Sequence, residues 1–560
     1  MPRRDRATLL WLWFCLGLLP LFLRPLWEPD EARYAEIPRE MLAAGDWLTP
    51  KLNGLLYFEK PPLQYWLSAA ALKLFGLQAW AARLPLALAA GLMLWATWRL
   101  ARRLGAREPR WAPFMAVTAL LPFVVGQLLT LDALFSALLV AGLAAFLEAV
   151  AARSAERDAR GWTLLAFGLF ACALLTKGLA QLILVGGGLV LSLPFGWRDR
   201  KLRRAILRTA FDPLGWILYL VLAAPWFVLV ERANPGHARF FFIHEHFTRF
   251  LTHEHARQGS DNWLLDKLYF AGILALGLLP WLSSALRGAW RAWAFARRGG
   301  PQGPELALHR WTVAAVLASA AWPLVFFSLS GSKLPPYILP VFPPLLALAV
   351  AFERQGEELA ALRRTGRELV ALGLVFAAAG LVARKDAGDL ALWALLPAAG
   401  FLLLGLWALR PRGIGLGSAA WMTALGACLW MLVLAAHRAA GPDKDVGPLV
   451  RAAPAHAQWI SYGVYFQALP FHTGERCVVV AGTGELGFGR GRLGAAEAEA
   501  WLPEGRDALL PTARRLQAEH PGRALRILMK DRDWADLDEA TKAALRQVQV
   551  RGNNVVATLR

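Results

Sequence analysis

The chain has 560 residues, of which 57% are hydrophobic, and it carries a formal net charge of +20 at pH 7. Its apolar residues are gathered in blocks of about 20, the length that crosses a bilayer, so the composition excludes an ordinary soluble protein. The surplus of positive charge lies among these blocks, because the tail from residue 437 carries 17 Lys/Arg against 14 Asp/Glu. This distribution favours a role of the charge in membrane orientation and argues against a nucleic-acid partner.

Hydropathy predicts thirteen membrane spans. The first is preceded by arginines and lacks a small-residue cleavage site, so it is predicted to be a retained helix rather than a signal peptide. The loops between the spans are alternately rich and poor in arginine, and the positive-inside rule places the arginine-rich set in the cytoplasm. The predicted spans are about 9–27, 79–99, 111–129, 132–150, 161–176, 178–196, 211–230, 266–286, 311–329, 334–352, 369–383, 389–409 and 414–436.

This topology predicts two domains. Residues 1–436 form a transmembrane domain with the outside loops 28–78 and 231–265, and residues 437–560 form a C-terminal α/β domain on the same outer face. In the tail, "RCVVVAG", "RALRILMK" and "NNVVATLR" are typical of strands, and "GAAEAEAWL", "PTARRLQAEH" and "LDEATKAALRQ" of helices. The four cysteines show neither the spacing of a zinc finger nor a disulfide framework.

The first charged feature follows the first span, in "WEPDEARYAEIPREML", which contains Asp30, Glu31 and Tyr34. One interpretation is a solvated helix cap, a common role for an acidic residue. The alternative is function, because ionisable groups next to a membrane-embedded cavity are candidates for a site.

Further charged features are predicted at the outer ends of other spans. Glu59 and Lys60 lie in "YFEKPPLQYW", where the prolines prevent a regular helix and the alternative is a weak surface ion pair. Asp132 in "LTLDALFS" is either a helix cap or a site residue. The cations Lys177 in "LLTKGLAQ" and Lys333 in "SGSKLPPYILP" oppose the positive-inside trend, and Lys177 is therefore expected to have an anionic partner. Tyr337 belongs to the same outside turn as Lys333.

A histidine-rich stretch, "RFFFIHEHFTRFLTHEHARQ", contains His244, His246 and Arg249. Such a stretch is compatible with metal binding and also with aromatic packing at the membrane interface. On the thirteen-span topology all six features face the same side of the membrane. The mixture of carboxylates and cations there suits a substrate that carries both a phosphate and a polar group.

The segment "WEPDEARYAEIPREMLAAGDWLTPKLNGLLYFEKPPLQYW" closely resembles the bacterial lipid A aminoarabinose transferases, which are related to protein mannosyltransferases. The resemblance continues in the same order through "LDALFSALL", "LLTKGLA", "FFFIHEHFTRF", "LLPWL" and "SKLPPYILP", and weakly into the tail. It implies a polytopic α-helical membrane protein of the GT-C type, with about thirteen transmembrane helices and a C-terminal α/β periplasmic domain.

The implied activity is a glycosyltransferase reaction at the periplasmic face of the bacterial inner membrane. The donor is 4-amino-4-deoxy-L-arabinose linked to undecaprenyl phosphate, and the acceptor is a phosphate of lipid A, the lipid anchor of lipopolysaccharide. The modification lowers negative charge and confers resistance to polymyxin and cationic peptides. The implied partners are the donor, the acceptor and membrane lipids.

The resemblance also suggests roles for individual residues. Asp30 matches an essential acidic residue, Lys60, Arg249 and Tyr337 match positions that hold the donor phosphate, and Glu59 with His244 or His246 matches a region where a relative holds metal. No cofactor is predicted to be required, and a divalent metal such as zinc stays open. Together with the analysis of charge above, the candidates are Asp30, Glu31 and Asp132 for catalysis, and Lys60, Arg249, Tyr337, Lys177, Lys333 and Tyr34 for substrate binding.

Two alternatives remain open at this point. A transferase of the same fold could use another sugar, such as a hexosamine, or a protein or glycan acceptor, and a hydroxyl acceptor would require a general base. A non-catalytic carrier of lipid-linked sugar would need polar residues deep in the spans, and the sequence has few charges there.

Overall fold

The computed structural model describes residues 1–248, 263–298, 303–387, 392–410 and 419–560. The chain divides into two compact units, which are described separately. The second unit combines the tail with two parts of the first outside loop. The sequence analysis assigned that loop to the transmembrane domain. The predicted boundary between the two domains at residue 436 stays a prediction. The first unit comprises Met1–Leu21, Glu59–Gln64 and Leu84–Ala435, and the second comprises Phe22–Phe58, Tyr65–Arg83 and Ala436–Arg560.

Apolar helices dominate the first unit. The most deeply buried is Leu131–Ser154, in which Leu, Ala, Val and Phe occur on all sides, as expected for a helix surrounded by others. The main helices of this unit are Leu84–Arg103, Trp111–Thr118, Leu120–Gln127, Leu131–Ser154, Arg160–Lys177, Ala180–Gly196, Arg200–Ala210, Pro213–Ala233, Arg239–Thr248, Trp263–Leu278, Leu282–Arg297, Pro304–Leu329, Pro335–Val341, Phe342–Ala351, Glu358–Ala387 and Leu395–Ala408. Arg3–Leu12 precedes them, and Ala419–Lys444 leads into the second unit.

The chain is a polytopic α-helical membrane protein, but the count of thirteen spans is not confirmed. Seven of the described helices are long and apolar enough to cross a membrane, or eight if one bent pair counts as a single span. Several helices at predicted spans are shorter, such as Ala180–Gly196 with 17 residues. At 1.5 Å per residue such a helix reaches only about 26 Å, short of a hydrocarbon core about 30 Å thick.

Two predicted spans, 111–129 and 266–286, are broken near their middle. The first has an extended residue at Ala119, and the second bends by 114° between Leu278 and Leu282. The interruptions hydrogen-bond to each other, because the Leu120 amide donates to the Leu279 carbonyl at 3.0 Å. Non-helical backbone at membrane depth requires such internal partners, since lipid offers none.

A five-stranded sheet forms the centre of the second unit. A short hairpin, β1 (Lys51–Leu52) and β2 (Leu55–Leu56), precedes it in the sequence. The sheet has the order β4-β3-β5-β7-β6, with β3 parallel to β4 and β5, and β7 antiparallel to β5 and β6. Its strands are β3 (Gln458–Tyr462), β4 (Val478–Val480), β5 (Leu525–Lys530), β6 (Leu545–Arg551) and β7 (Asn554–Leu559).

The structure has strands at all three places where the sequence predicts them in the tail, and it adds β3 and β6. The predicted helix 537–547 is wrong beyond Ala544, because residues 545–547 belong to β6. β6 turns directly into β7 through Gly552, whose positive φ of +55° suits a two-residue hairpin loop. The helices of this unit are Asp30–Ala44, Leu63–Phe75, Ala79–Ala82, Gly447–Arg451, Ala468–Thr473, Gly484–Leu486, Gly487–Arg490, Ala495–Trp501, Arg506–Ala508, Leu509–Glu519, Asp531–Ala535 and Glu539–Ala544.

Candidate active site

The helix Asp30–Ala44 carries four acidic residues, and only one of them faces solvent. The side chain of Asp30 is 58% exposed, whereas Glu31, Glu36 and Glu40 are buried. Glu36 forms two hydrogen bonds of 2.7 Å with Arg39 one turn later. Of these four carboxylates, Asp30 is therefore the one placed to meet a substrate.

Asp30 is held by a buried arginine. Arg33 pairs with Asp30 on the same helix and with Glu485 in the tail, and its guanidinium lies 5.2 Å from the centre of the Tyr34 ring. Because burial is offset by these anionic neighbours, the pKa of Arg33 stays above its ordinary value. Glu485 was not predicted, since no local pattern connects it with a residue 452 positions earlier. Tyr34 is buried against Tyr65, at 6.0 Å between ring centres, which favours a packing role.

Glu31 is enclosed by two arginines, and its predicted catalytic role stays a prediction. Its side chain is 2% exposed, and its carboxylate accepts hydrogen bonds from Arg24 and from Arg83, the latter at 3.0 Å to each oxygen. Burial alone would raise the pKa of Glu31, but the two arginines together lower it to about 2. Because this carboxylate is enclosed and shared by two arginines, its removal would leave two buried charges without a partner, and the geometry favours a structural role.

Glu28 lies just before the helix Asp30–Ala44 and forms hydrogen bonds with the tail. Its carboxylate accepts hydrogen bonds from the backbone amides of Ala468 at 2.6 Å and Gln467 at 3.1 Å. Burial raises the pKa of Glu28 to about 7, against the opposing effect of these amides and of Lys530 and Lys444. Glu28 therefore helps to fix the start of the helix that carries Asp30.

This raised pKa gives a prediction about pH. The folded protein binds a proton on Glu28 up to about pH 7, whereas the unfolded chain releases it near pH 4.5. Stability should therefore fall as the pH rises from 4.5 through 7. Because the residue keeps some contact with solvent, we expect the change to stay below about 3 kcal/mol. Thermal unfolding of Glu28→Gln at pH 5 and pH 8 should show a smaller difference between the two pH values than the wild type. An unchanged difference would contradict the assignment.

In the first unit, three predicted residues meet at the end of two antiparallel helices. Asp132 begins Leu131–Ser154, Lys177 ends Arg160–Lys177, and the two side chains form an ion pair. The ammonium of Lys177 also lies 4.6 Å from the centre of the Tyr337 ring. Lys177 thus has the anionic partner that its position in the sequence predicts, and it keeps 15% exposure.

Lys333 lies in the turn that precedes Tyr337, and its side chain is completely buried. Its ammonium donates to both carboxylate oxygens of Asp266 at 2.9 Å and to the carbonyl of Ser330 at 2.5 Å. An ammonium has three protons, so this arrangement leaves none for a substrate phosphate. The geometry favours a role in shaping the turn, and the predicted role in substrate binding remains a prediction.

Lys60 is connected with the aromatic-rich helix Arg239–Thr248. Its ammonium lies 3.4 Å from Glu245 and donates to the Glu59 carbonyl at 2.8 Å. Lys60 keeps 20% exposure, whereas Glu245 is buried with 6%. The neighbouring His244 stacks on Phe240 at 5.2 Å, which agrees with the aromatic-packing alternative for this stretch. Glu245 is a charged residue of the histidine-rich stretch, but its pairing with Lys60 was not predicted from the sequence.

The predicted metal site is not supported by the part of the chain that the structure describes. In these residues no group of three or more His, Cys, Asp or Glu side chains is arranged to hold a metal ion. The side chain of His246 and the whole of Arg249 lie outside the described residues. We therefore derive no chemical step through a metal, and the roles of Glu59, His244 and His246 as ligands stay predictions.

Partly or fully exposed charged groups occur in both units. Lys177 and Lys60 are partly exposed cations, able to stabilise a phosphate oxygen, and each already has a carboxylate partner. Asp30 is an exposed carboxylate fixed by Arg33, able to accept a hydrogen bond or balance a positive charge.

Comparisons with known proteins indicate the family. Residues 59–228 match the family described as dolichyl-phosphate-mannose-protein mannosyltransferase. The chain is similar to the undecaprenyl phosphate-alpha-4-amino-4-deoxy-L-arabinose arabinosyl transferases of Edwardsiella ictaluri, with 35% identity over 378 residues, and Pseudomonas aeruginosa, with 37% over 358 residues. These matches cover 65% and 62% of this chain, and 63% and 59% of the relatives' own lengths, which is less than two thirds.

A solved structure extends the similarity over the whole chain. The crystal structure of ArnT from Cupriavidus metallidurans bound to undecaprenyl phosphate superposes with a TM-score of 0.76 and 28% identity, covering 99% of this chain and 97% of that one. The chain therefore has the GT-C fold of membrane glycosyltransferases. This fold agrees with the apolar helices of the first unit.

Proposed function

We propose that this GT-C protein transfers 4-amino-4-deoxy-L-arabinose from undecaprenyl phosphate to a phosphate of lipid A, at the periplasmic face of the bacterial inner membrane. The observation that carries the proposal is the similarity over 99% of the chain to ArnT bound to undecaprenyl phosphate. The aminoarabinosyl transferase names of the relatives support the choice of sugar. The expected consequence is resistance to polymyxin and other cationic peptides.

The donor leaves as a polyprenyl phosphate, so negative charge grows on its oxygens as the glycosidic bond breaks. Cations placed in advance stabilise that charge in the transition state. Lys60 and Lys177 are the described cations that we assign to this task, with the Tyr337 hydroxyl as a hydrogen-bond donor. Arg249 is assigned the same task from its sequence motif alone.

The acceptor determines whether a general base is needed. A phosphate monoester, with a second pKa near 6, is largely ionised at neutral pH and is already a nucleophile. Asp30 is therefore assigned to orienting the acceptor or balancing the positive charge that develops on the sugar. Direct attack of this kind inverts the configuration at the anomeric carbon, and a product with retained configuration would contradict it.

The decisive experiment is a mass spectrum of lipid A from a polymyxin-sensitive strain that lacks its own aminoarabinose transferase. Expression of the wild-type chain should add a pentosamine-sized increment to lipid A, and Asp30→Asn at equal membrane abundance should add none. An increment with both proteins would remove Asp30 from the mechanism and keep the function. No increment with either, in the presence of donor, would contradict the proposed sugar or acceptor.

One observation favours a second candidate. The family model that matches residues 59–228 is named for a protein mannosyltransferase, whose acceptor is a protein. A hydroxyl acceptor requires a base, and Asp30 is the exposed carboxylate for that role. Glycosylated membrane or periplasmic proteins, found together with unmodified lipid A in the same strain, would favour this alternative.

A further inference from the structure

The first unit contains a large pocket at the end opposite to the pair formed by Asp132 and Lys177. Asp132 lies at the start of the helix Leu131–Ser154, whereas Glu148 near its other end pairs with Arg99 at 3.0 Å. Arg99 belongs to the helix Leu84–Arg103, and the segment directly after this helix lines the pocket. Since the helix has 24 residues, the two ends lie about 36 Å apart. The pocket is therefore distinct from the pair formed by Asp132 and Lys177.

This pocket, hereafter the arginine pocket, has a volume of about 980 Å³ and lies between two helices. The helices Leu282–Arg297 and Phe342–Ala351 approach closely because Gly288 has no side chain. A Cβ atom at this position would clash with the Cα of Ala349. The volume lies in the range of pockets that hold small molecules or lipid headgroups.

The lining combines arginines with aromatic rings. Five arginines face three glutamates, so the pocket is positive overall. Five aromatic side chains also line the pocket, and the Trp290 ring is 66% exposed. The charged and aromatic lining residues are Arg107, Arg110, Arg291, Arg298, Arg354, Glu108, Glu353, Glu358, Trp111, Trp281, Trp290, Phe295 and Phe352.

Part of this charge is already neutralised. Arg110 pairs with Glu108 at 2.9 Å, and Arg291 pairs with Glu357 at 2.8 Å and donates to the Phe352 carbonyl at 3.1 Å. These contacts fix the frame of the pocket. Arg107, Arg298 and Arg354 differ, because they are exposed and form no ion pair with a side chain in the part of the chain that the structure describes.

We propose that the arginine pocket binds the phosphodiester headgroup of an anionic phospholipid, with Arg107 and Arg354 as the cations that contact it. Guanidinium groups bind phosphate oxygens through paired N–H donors. Exposed tryptophan is typical of the level at which lipid headgroups lie. Basic pockets between helices on the arginine-rich side of a membrane protein are suited to anionic lipids.

The test uses the full chain, purified in a non-ionic detergent and freed of bound lipid. The protein is titrated with phosphatidylglycerol or with phosphatidylcholine, and native mass spectrometry measures the bound lipid. The wild type should bind a first phosphatidylglycerol at least tenfold more tightly than phosphatidylcholine. The double variant Arg107→Gln/Arg354→Gln should lose that preference. The charge-preserving variant Arg107→Lys/Arg354→Lys should retain most of it, which separates loss of charge from loss of folding.

Arg204→Gln is the matched control. Arg204 is exposed on Arg200–Ala210, a basic helix next to the same end of Leu131–Ser154, and it does not line the pocket. The control should bind like the wild type. Equal binding of both lipids, wild-type binding by the double variant, or an equal loss in Arg204→Gln would each overturn the proposal. Displacement of the lipid by millimolar inorganic phosphate would show a site for free phosphate and would overturn it as well.

Discussion

Replacing Glu31 by glutamine is expected to lower the free energy of unfolding by about 3–5 kcal/mol, the usual cost of removing one partner from a buried ion pair. Glu31 is the carboxylate shared by Arg24 and Arg83, and the side chains of all three are 5% exposed or less. The substitution leaves two buried guanidinium groups without this counter-charge. Purified wild type and variant should differ in thermal or denaturant unfolding by this amount.

The matched control is Glu519→Gln. Glu519 pairs with Arg515 at 3.3 Å across one helical turn, and both side chains are exposed to a large extent. The same chemical change should therefore cost about 0.5 kcal/mol or less. Equal losses in the two variants would contradict the importance of burial.

An acid titration gives an independent readout of the same contact. Because the pKa of Glu31 is lowered to about 2 in the folded protein, its contribution is present above about pH 4.5 and is lost as the pH falls towards 2. The variant should show a flatter dependence over that window. Its activity per folded molecule should stay near that of the wild type, since the side chain of Glu31 is 2% exposed and paired with Arg24 and Arg83. A full loss of activity at unchanged stability would restore its predicted catalytic role.

The contrast between Glu31 and its neighbour Asp30 shows the limit of motif reasoning. The sequence identifies "PDEARY" as a charged segment next to a span, and both acids satisfy that description equally well. Which one is exposed depends on the helix face and on partners elsewhere in the chain, such as Arg83 for Glu31. A motif predicts where the charged residues lie in the sequence, and the tertiary contacts distinguish the exposed carboxylate from the enclosed one.

The tail illustrates a second limit. β4, β5 and β7 are buried and rich in Val, Ile and Leu, so their composition predicts strands. β6, with "LRQVQVR", is an edge strand that alternates polar and apolar residues and is largely exposed. Its composition is equally compatible with the continuation of a helix, and its pairing with β7 decides its conformation.

The number of spans could not be derived from hydropathy for a related reason. Apolar blocks reveal helices, but they do not reveal where a helix is interrupted by contacts with another segment. The hydrogen bond between Leu120 and Leu279 joins two interruptions 159 positions apart. Each predicted span is broken there because the other provides its hydrogen-bond partner.

Replacing Lys177 by methionine is expected to reduce the rate of sugar transfer by at least 100-fold, the usual effect of removing one group that stabilises developing charge. Lys177 is held by Asp132 and by the ring of Tyr337, so its ammonium is positioned before the substrate arrives. The leaving phosphate carries more negative charge in the transition state than in the bound donor. The turnover number should therefore fall much more than the KM for the lipid-linked donor rises.

Lys333→Met provides the matched comparison, because it removes the same charge from the turn that carries Tyr337. The buried ammonium of Lys333 is bound to Asp266, and its loss leaves that carboxylate without this partner. Lys333→Met should lose more stability than Lys177→Met, because the side chain of Lys333 is completely buried whereas Lys177 keeps 15% exposure. Lys177→Arg should recover part of the activity. If Lys177→Met lowered only the affinity for the donor, Lys177 would bind the ground state, and the catalytic effect would have to come from Lys60 or Arg249.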